Sequence, residues 1–268
     1  MKMIVYLILL ILVPAYAQAQ SAIQTENASN SPDNQIHANN ESIDNTVASP
    51  DAINDKQADQ KDRTQPETCT YDAYAWDTRK KRSTDHFHVE KPYSEVTDEE
   101  RDPNAPDCTI CIEDQVTIHP KDFGVNLGSI RICHRFAPQV KQALTEIAQS
   151  KQFDIIQLEG YRPGKTRGKI DANGLRTQWS QHSYGTAIDI NANRNAIYSN
   201  CTNKIVNSSN DVKDCKKGIG GAYQPEKQPR VSIVKDGVVY NRMTQFWKWG
   251  GEIDGTTKDI MHFSITGY

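Results

Sequence analysis

Ser180-Gln-His182-Ser-Tyr-Gly185-Thr-Ala187-Ile-Asp189 is the stretch on which the reading of this chain turns. His182 and Asp189 lie an odd number of residues apart, so in one regular strand they would face opposite ways. Gly185 between them permits a turn. His182 can then sit on a loop, while Asp189 points to the same place from a strand over 185–190. Catalytic zinc takes three protein ligands, usually with histidine nitrogen and often a carboxylate, and keeps a fourth position for water. A lone histidine is ordinarily a solvated or core residue, and an aspartate in a strand is often an edge residue. It is the fixed spacing of the set that carries weight.

A second segment supplies the remainder: Trp249-Gly250-Gly251, then Asp259-Ile-Met-His262-Phe-Ser264. With His262 as third ligand, Asp259 can stand beside the metal without ligating it, as a general base does. A metal lowers the pKa of water to about 7, and a carboxylate can take the proton and pass it to a leaving amine. Upstream runs a basic stretch of Arg162, Lys165, Arg167, Lys169 and Arg176. Arg162 has the best claim to function, because a positioned guanidinium can stabilise an oxyanion or hold a carboxylate bidentately. The others divide between substrate contacts and solvent. Trp249, before two glycines, fits either the core or the cleft wall; with Ser180 and Arg162 it is assigned to substrate binding. His86 and His88 share a strand face but lack a third ligand nearby, and His134 reads as structural.

Around these motifs, Phe136, Val140, Leu144, Ile147 and Ala148 recur at helical spacing and predict a helix over 136–150. Residues 153–158 read as a strand, 160–174 as a Gly-, Pro- and Lys/Arg-rich loop, and 261–265 as a last strand. Val238, Val239, Met243, Phe246 and Trp247 fit a helix capped by Asp236, although Asp236-Gly237 could equally turn a hairpin. Strands and helices mixed without strict alternation indicate an α+β fold.

The chain has 268 residues, and its first 19 combine Lys2, an apolar run from Met3 to Val13 and small residues at 15, 17 and 19. That is the layout of a secretory signal peptide. The run falls short of the roughly 20 apolar residues a membrane anchor needs. Residues 20–66 are polar and lack aromatics, which predicts a disordered linker. Composition changes at Cys69. Residues 67–133 read as a cysteine-containing extension and 134–268 as the core. In an oxidising compartment the six cysteines are expected to form three disulfides, with Cys201 and Cys215 closing a local loop. Cys108-x-x-Cys111 could be half a zinc site, but no second pair completes it. The net charge of −3 provides no case for nucleic acid binding.

Ser180-x-His182-x-x-Gly185-x-Ala187-x-Asp189 followed by Asp259-x-x-His262 resembles the D-alanyl-D-alanine carboxypeptidase and dipeptidase family of zinc peptidases. That family includes the vancomycin-resistance dipeptidases and the phage L-alanyl-D-glutamate endolysins. The resemblance spans roughly residues 130–268. It implies one zinc ion held by His182, Asp189 and His262, with Asp259 as catalytic base. It also implies a substrate role for the arginine of Gly160-Tyr161-Arg162. Asp259 stands where the dipeptidases and many carboxypeptidases carry Glu, which is similar to the endolysin branch and favours an endopeptidase. The implied fold is a small antiparallel sheet with flanking helices, as in hedgehog and D,D-peptidases, here with a disulfide-pinned amino-terminal extension. The implied partner is the peptidoglycan stem peptide. An exported monomer, periplasmic or extracellular and without stable membrane insertion, is expected. The rival is a non-catalytic binding module, since the hedgehog amino-terminal domain resembles this zinc site without established peptidase activity.

Overall fold

A computed structural model describes residues 64–268. The expected signal peptide and nearly all of the expected linker lie outside the described residues. The fold is α+β, with small sheets and two α-helices among the described residues, α1 (Ala137–Ser150) and α2 (Val238–Met243). The central sheet runs Lys248–Trp249, His262–Ser264, Ala187–Ile190, Leu158–Glu159, antiparallel throughout.

The helix read from apolar spacing is α1. Val140, Ala143, Leu144 and Ile147 form its buried stripe, Pro138 sits in its first turn, and Lys151 ends it in a left-handed conformation at φ 56°. That stripe packs into the main core with Ile188, Ile190, Trp249 and Phe263. α2 is the second helix, which resolves the hairpin alternative. Asp236 does not cap it: Asp236 adopts φ 62°, and Gly237 takes the cap position without a side-chain bond.

Two sequence expectations need correction. Of 153–158 only Leu158 joins a strand. The amides of Ile156 and Gln157 donate instead to the side-chain oxygen of Asn191, at 2.8 and 3.1 Å, so one carboxamide replaces a neighbouring strand. The expected loop over 160–174 contains the strand Gly164–Ile170, which pairs with Arg176–Trp179 to make a basic hairpin. Its register shifts twice, so no period-two alternation marks it in the sequence.

A second, smaller core lies under the amino-terminal hairpin, Thr68–Asp77 against Arg82–Pro92. Cys69, Tyr71, Ala73 and Ala75 bury one face of its first strand with period two. Three disulfides form, Cys69–Cys111, Cys108–Cys133 and Cys201–Cys215, and no cysteine is free. Cys108 and Cys111 thus take different partners, which removes the half-zinc-site alternative. Glu100 is buried beside this core, held by Lys91 Nζ at 2.6 Å and the Tyr71 hydroxyl at 2.7 Å. The amino-terminal hairpin joins the basic hairpin through the parallel pair Tyr74↔Gly164.

Candidate metal centre

His182 sits on a 3-10 turn, Gln181–Tyr184, closed by Gly185 at φ 68°. A β-carbon at Gly185 would press on the Cys133 amide at 2.6 Å, so both conformation and space demand glycine. His182 Nδ1 lies 2.8 Å from the Gly160 carbonyl, to which it donates, leaving the Nε2 lone pair facing inward. Asp189 comes from the next strand and pairs in register with His262.

Donor atoms of three residues converge there. His182 Nε2 is 3.2 Å from His262 Nδ1 and 3.2 Å from Asp189 Oδ2, and His262 Nδ1 is 2.9 Å from Asp189 Oδ1. Tetrahedral zinc with bonds of about 2.0–2.1 Å places its ligand atoms about 3.3 Å apart. The observed separations of 2.9–3.2 Å are close to that spacing, with a different Asp189 oxygen nearest each histidine. All three residues are buried. The set could hold a metal ion. Burial raises the Asp189 carboxyl, but the two histidines outweigh it and hold it well below the usual carboxylate range.

Asp259 is 9 % exposed and lines the same cleft, and its Oδ1 is buried with no hydrogen-bond partner among the described residues. Burial pushes its carboxyl up to about 6, aided by Asp189 and opposed by His262, Arg167 and Arg162. The glycine after Trp249 positions it. Gly250 donates to the His262 carbonyl at 2.9 Å and accepts from the Asp259 amide at 3.0 Å. A β-carbon at Gly250 would meet the Asp259 carbonyl and lie 3.0 Å from the Asp259 β-carbon. Trp249 itself is corrected: it is fully buried, stacks near Phe263 and donates its indole N–H to the Ile260 carbonyl at 2.8 Å. The tryptophan is a core residue behind the cleft, because the strand turns its side chain into the main core.

Arg162 is brought to the site. Its guanidinium lies 3.5 Å from Asp189 Oδ2, and one terminal nitrogen donates to the Tyr74 hydroxyl at 3.1 Å. Nε is 2.8 Å from Glu159 Oε1, an ion pair whose N–H points off the axis, so no hydrogen bond forms. Ser180 is buried at the start of the 3-10 turn and contributes to the cleft wall. Tyr74 and Glu159 were not anticipated as site residues. Glu159 directly precedes Gly160-Tyr161-Arg162, a signal that was available; Tyr74 arrives from a distant strand and had none.

His86, His88 and His134 stand apart from this set. His88 contacts Asp72 at 2.8 Å on the surface, His86 lies against the Tyr74 ring, and His134 faces the Asp114 carbonyl. The other cysteine-containing group of potential donors, Cys69, Cys111 and Glu113, is spoken for by the Cys69–Cys111 disulfide. The cleft above the triad has a volume of about 930 Å³.

Residues 173–265 match the family described as D-alanyl-D-alanine carboxypeptidase. The matched segment contains His182, Asp189, Asp259 and His262, and it supports the zinc-peptidase family that the motifs resemble. Over that segment the match supports a peptidase, a hydrolase, at the level of the family. No curated protein and no solved structure matches the chain.

Proposed function

We propose that this protein is an exported zinc peptidase that hydrolyses a peptide bond in peptidoglycan stem peptides. The observation that carries the reading is the His182–Asp189–His262 triangle with the unpartnered Asp259 oxygen beside it. His182, Asp189 and His262 would hold the ion. Zinc there supplies Lewis acidity toward the carbonyl and a water that ionises near neutral pH. Asp259 takes a proton from the attacking water and delivers it to the leaving nitrogen. A carboxylate that lines the same cleft suits both halves of that task. Arg162 meets the negative charge that develops on the carbonyl oxygen. Its own placement is held by Glu159, Asp189 and Tyr74.

The division of labour follows the sequence reading, with residues 134–268 as peptidase core and 67–133 as its extension. Three disulfides accord with an oxidising compartment. No helix among the described residues is long and apolar enough to cross a membrane. Aspartate at 259 favours an L,D-endopeptidase, while the matched family's description favours a D,D-carboxypeptidase. A binding module of hedgehog type has no need of a buried, unpartnered carboxylate beside the metal ligands.

The deciding experiment incubates the purified, zinc-loaded protein with intact peptidoglycan and with defined stem peptides, and identifies products by mass spectrometry. Release of a stem fragment supports the peptidase, and its mass names the bond. Wall binding without any release, indifferent to Asp259→Asn, would transfer the reading to the binding module.

A further inference from the structure

The five basic residues between 162 and 176 have separate fates. Arg162 is matched by Glu159 and Asp189. Lys165 lies over the Trp179 ring at 5.0 Å, and Lys169 is exposed to solvent. Arg167 and Arg176 are half-buried and line the cleft that holds the metal triad. Neither forms an ion pair with an acid among the described residues, and Arg167 is near enough to Asp259 to lower its carboxyl. The acids of the cleft wall are Glu159, Asp189 and Asp259, and the first two are engaged with Arg162.

Both arginines are carried on a braced support. One Arg176 terminal nitrogen donates to the Gly168 carbonyl at 2.6 Å, across the basic hairpin. The turn of that hairpin is closed by the Asp171 carboxylate, which accepts from Asn173 and Leu175 at 2.9 and 2.8 Å. The amino-terminal hairpin then clamps it, Thr78 donating to Gly174 and Arg79 to Ala172. Two half-buried guanidiniums that form no ion pair among the described residues leave donors in the cleft for an anion to take. A planar fork also selects carboxylate over a diffuse anion.

Building on the peptidase reading, we infer that Arg167 and Arg176 form a carboxylate-binding subsite, which takes an acid group of the peptide substrate away from the bond being cut. That acid is either the carboxylate of an internal residue or the free terminal carboxylate. The chemistry is the same, and the experiment separates the two.

The test uses the full zinc-loaded protein with Asp259→Asn as the background, so that titrations are free of turnover. Three stem peptides serve as probes: one with internal and terminal carboxylates free, one amidated at the terminus, and one amidated at the internal acid. Dissociation constants are measured by calorimetry with and without Arg167→Gln or Arg176→Gln. Zinc content and melting temperature verify the fold. One amidation should weaken binding about tenfold or more. Either arginine substitution should weaken the acid peptide similarly, yet cost the matching amide little further. Arg167→Lys, which keeps the charge but loses the fork, should fall between. Equal losses on all three peptides, or none, overturn the subsite. Separate cleavage assays on the wild-type protein distinguish the failures. Cleavage with arginine-independent binding sinks the subsite alone; carboxylate-dependent binding without cleavage sinks the peptidase alone.

Discussion

Asp189 lies directly opposite His262 in neighbouring antiparallel strands, its Oδ1 2.9 Å from His262 Nδ1. Cross-strand partners sit side by side on one face, so a single register delivers both groups to one point. A slip by one residue would turn one of them to the other face. The central sheet's pairing is therefore also what assembles the candidate site, and a change that loosens it should be visible in metal affinity.

Close to one zinc per chain is expected, and His182→Ala or His262→Ala should lower affinity severely, since three ligands are the minimum for such a site. Metal analysis after dialysis measures it. Full zinc occupancy in His182→Ala would remove the assignment.

Asp259→Asn should keep zinc and fold while cleavage falls about 10²–10⁴-fold. A second readout needs no metal. The folded carboxyl is raised to about 6 from 3.8, so its contribution to stability is present below 3.8 and lost as pH rises through 6. Metal-free wild type should therefore lose up to about 3 kcal/mol relative to Asp259→Asn across that window. Parallel melting curves at pH 4 and pH 6.5 would refute this if they showed no difference between the two proteins.

Arg162→Ala should retain zinc and lose about 10²–10³ in turnover, the usual cost of one donor to a developing charge. Tyr74→Phe removes only the hydroxyl that holds the guanidinium and should cost less. Unchanged kinetics in Arg162→Ala would leave that arginine a solvated residue.

Gly250→Ala should destabilise the fold by about 1–3 kcal/mol through overpacking. The new β-carbon meets Asp259, and the backbone is tied on both sides to His262 and Asp259. Zinc affinity should drop as well. Denaturant unfolding and metal titration on the one variant test both, and a neutral result would mean these strands can separate freely.

Lys91→Met leaves the buried Glu100 carboxylate short of its cation and should cost about 1–3 kcal/mol. Burial raises this carboxyl, but Lys91, Tyr71 and Thr97 together outweigh it, so its folded pKa lies below 4.5. The stabilisation is present above 4.5 and fades as pH falls through the lowered value. The penalty of Lys91→Met should shrink with it. Chemical unfolding at pH 7 and at pH 3 makes the comparison, and a penalty that persists undiminished in acid would point to lost packing by the lysine stem.

Much of the core was legible because its signals are local. The stripe of α1 repeats every three or four residues, and its helix follows within a residue of the expected boundaries. The basic hairpin was not legible. Gly164–Ile170 carries half-buried polar side chains on a strand with two register shifts, and its other partner is Thr68–Asp77, far upstream. Trp249 was ambiguous for a related reason. A tryptophan before glycines suits a cleft or a core alike, until the opposing Phe263 and the Ile260 carbonyl claim it.

By itself the sequence determined which residues can form the candidate metal set, because His182, Gly185 and Asp189 encode a turn and a strand within ten residues, and Asp259 and His262 sit together downstream. Only the tertiary structure decided what surrounds that set. Tyr74 on Arg162 and the disulfide Cys69–Cys111 join residues distant in the chain, and Gly250 meets Asp259 only through the pairing of their backbones. Such contacts arise from how the hairpins and the central sheet pack, and local sequence periodicity holds no record of the surfaces they meet.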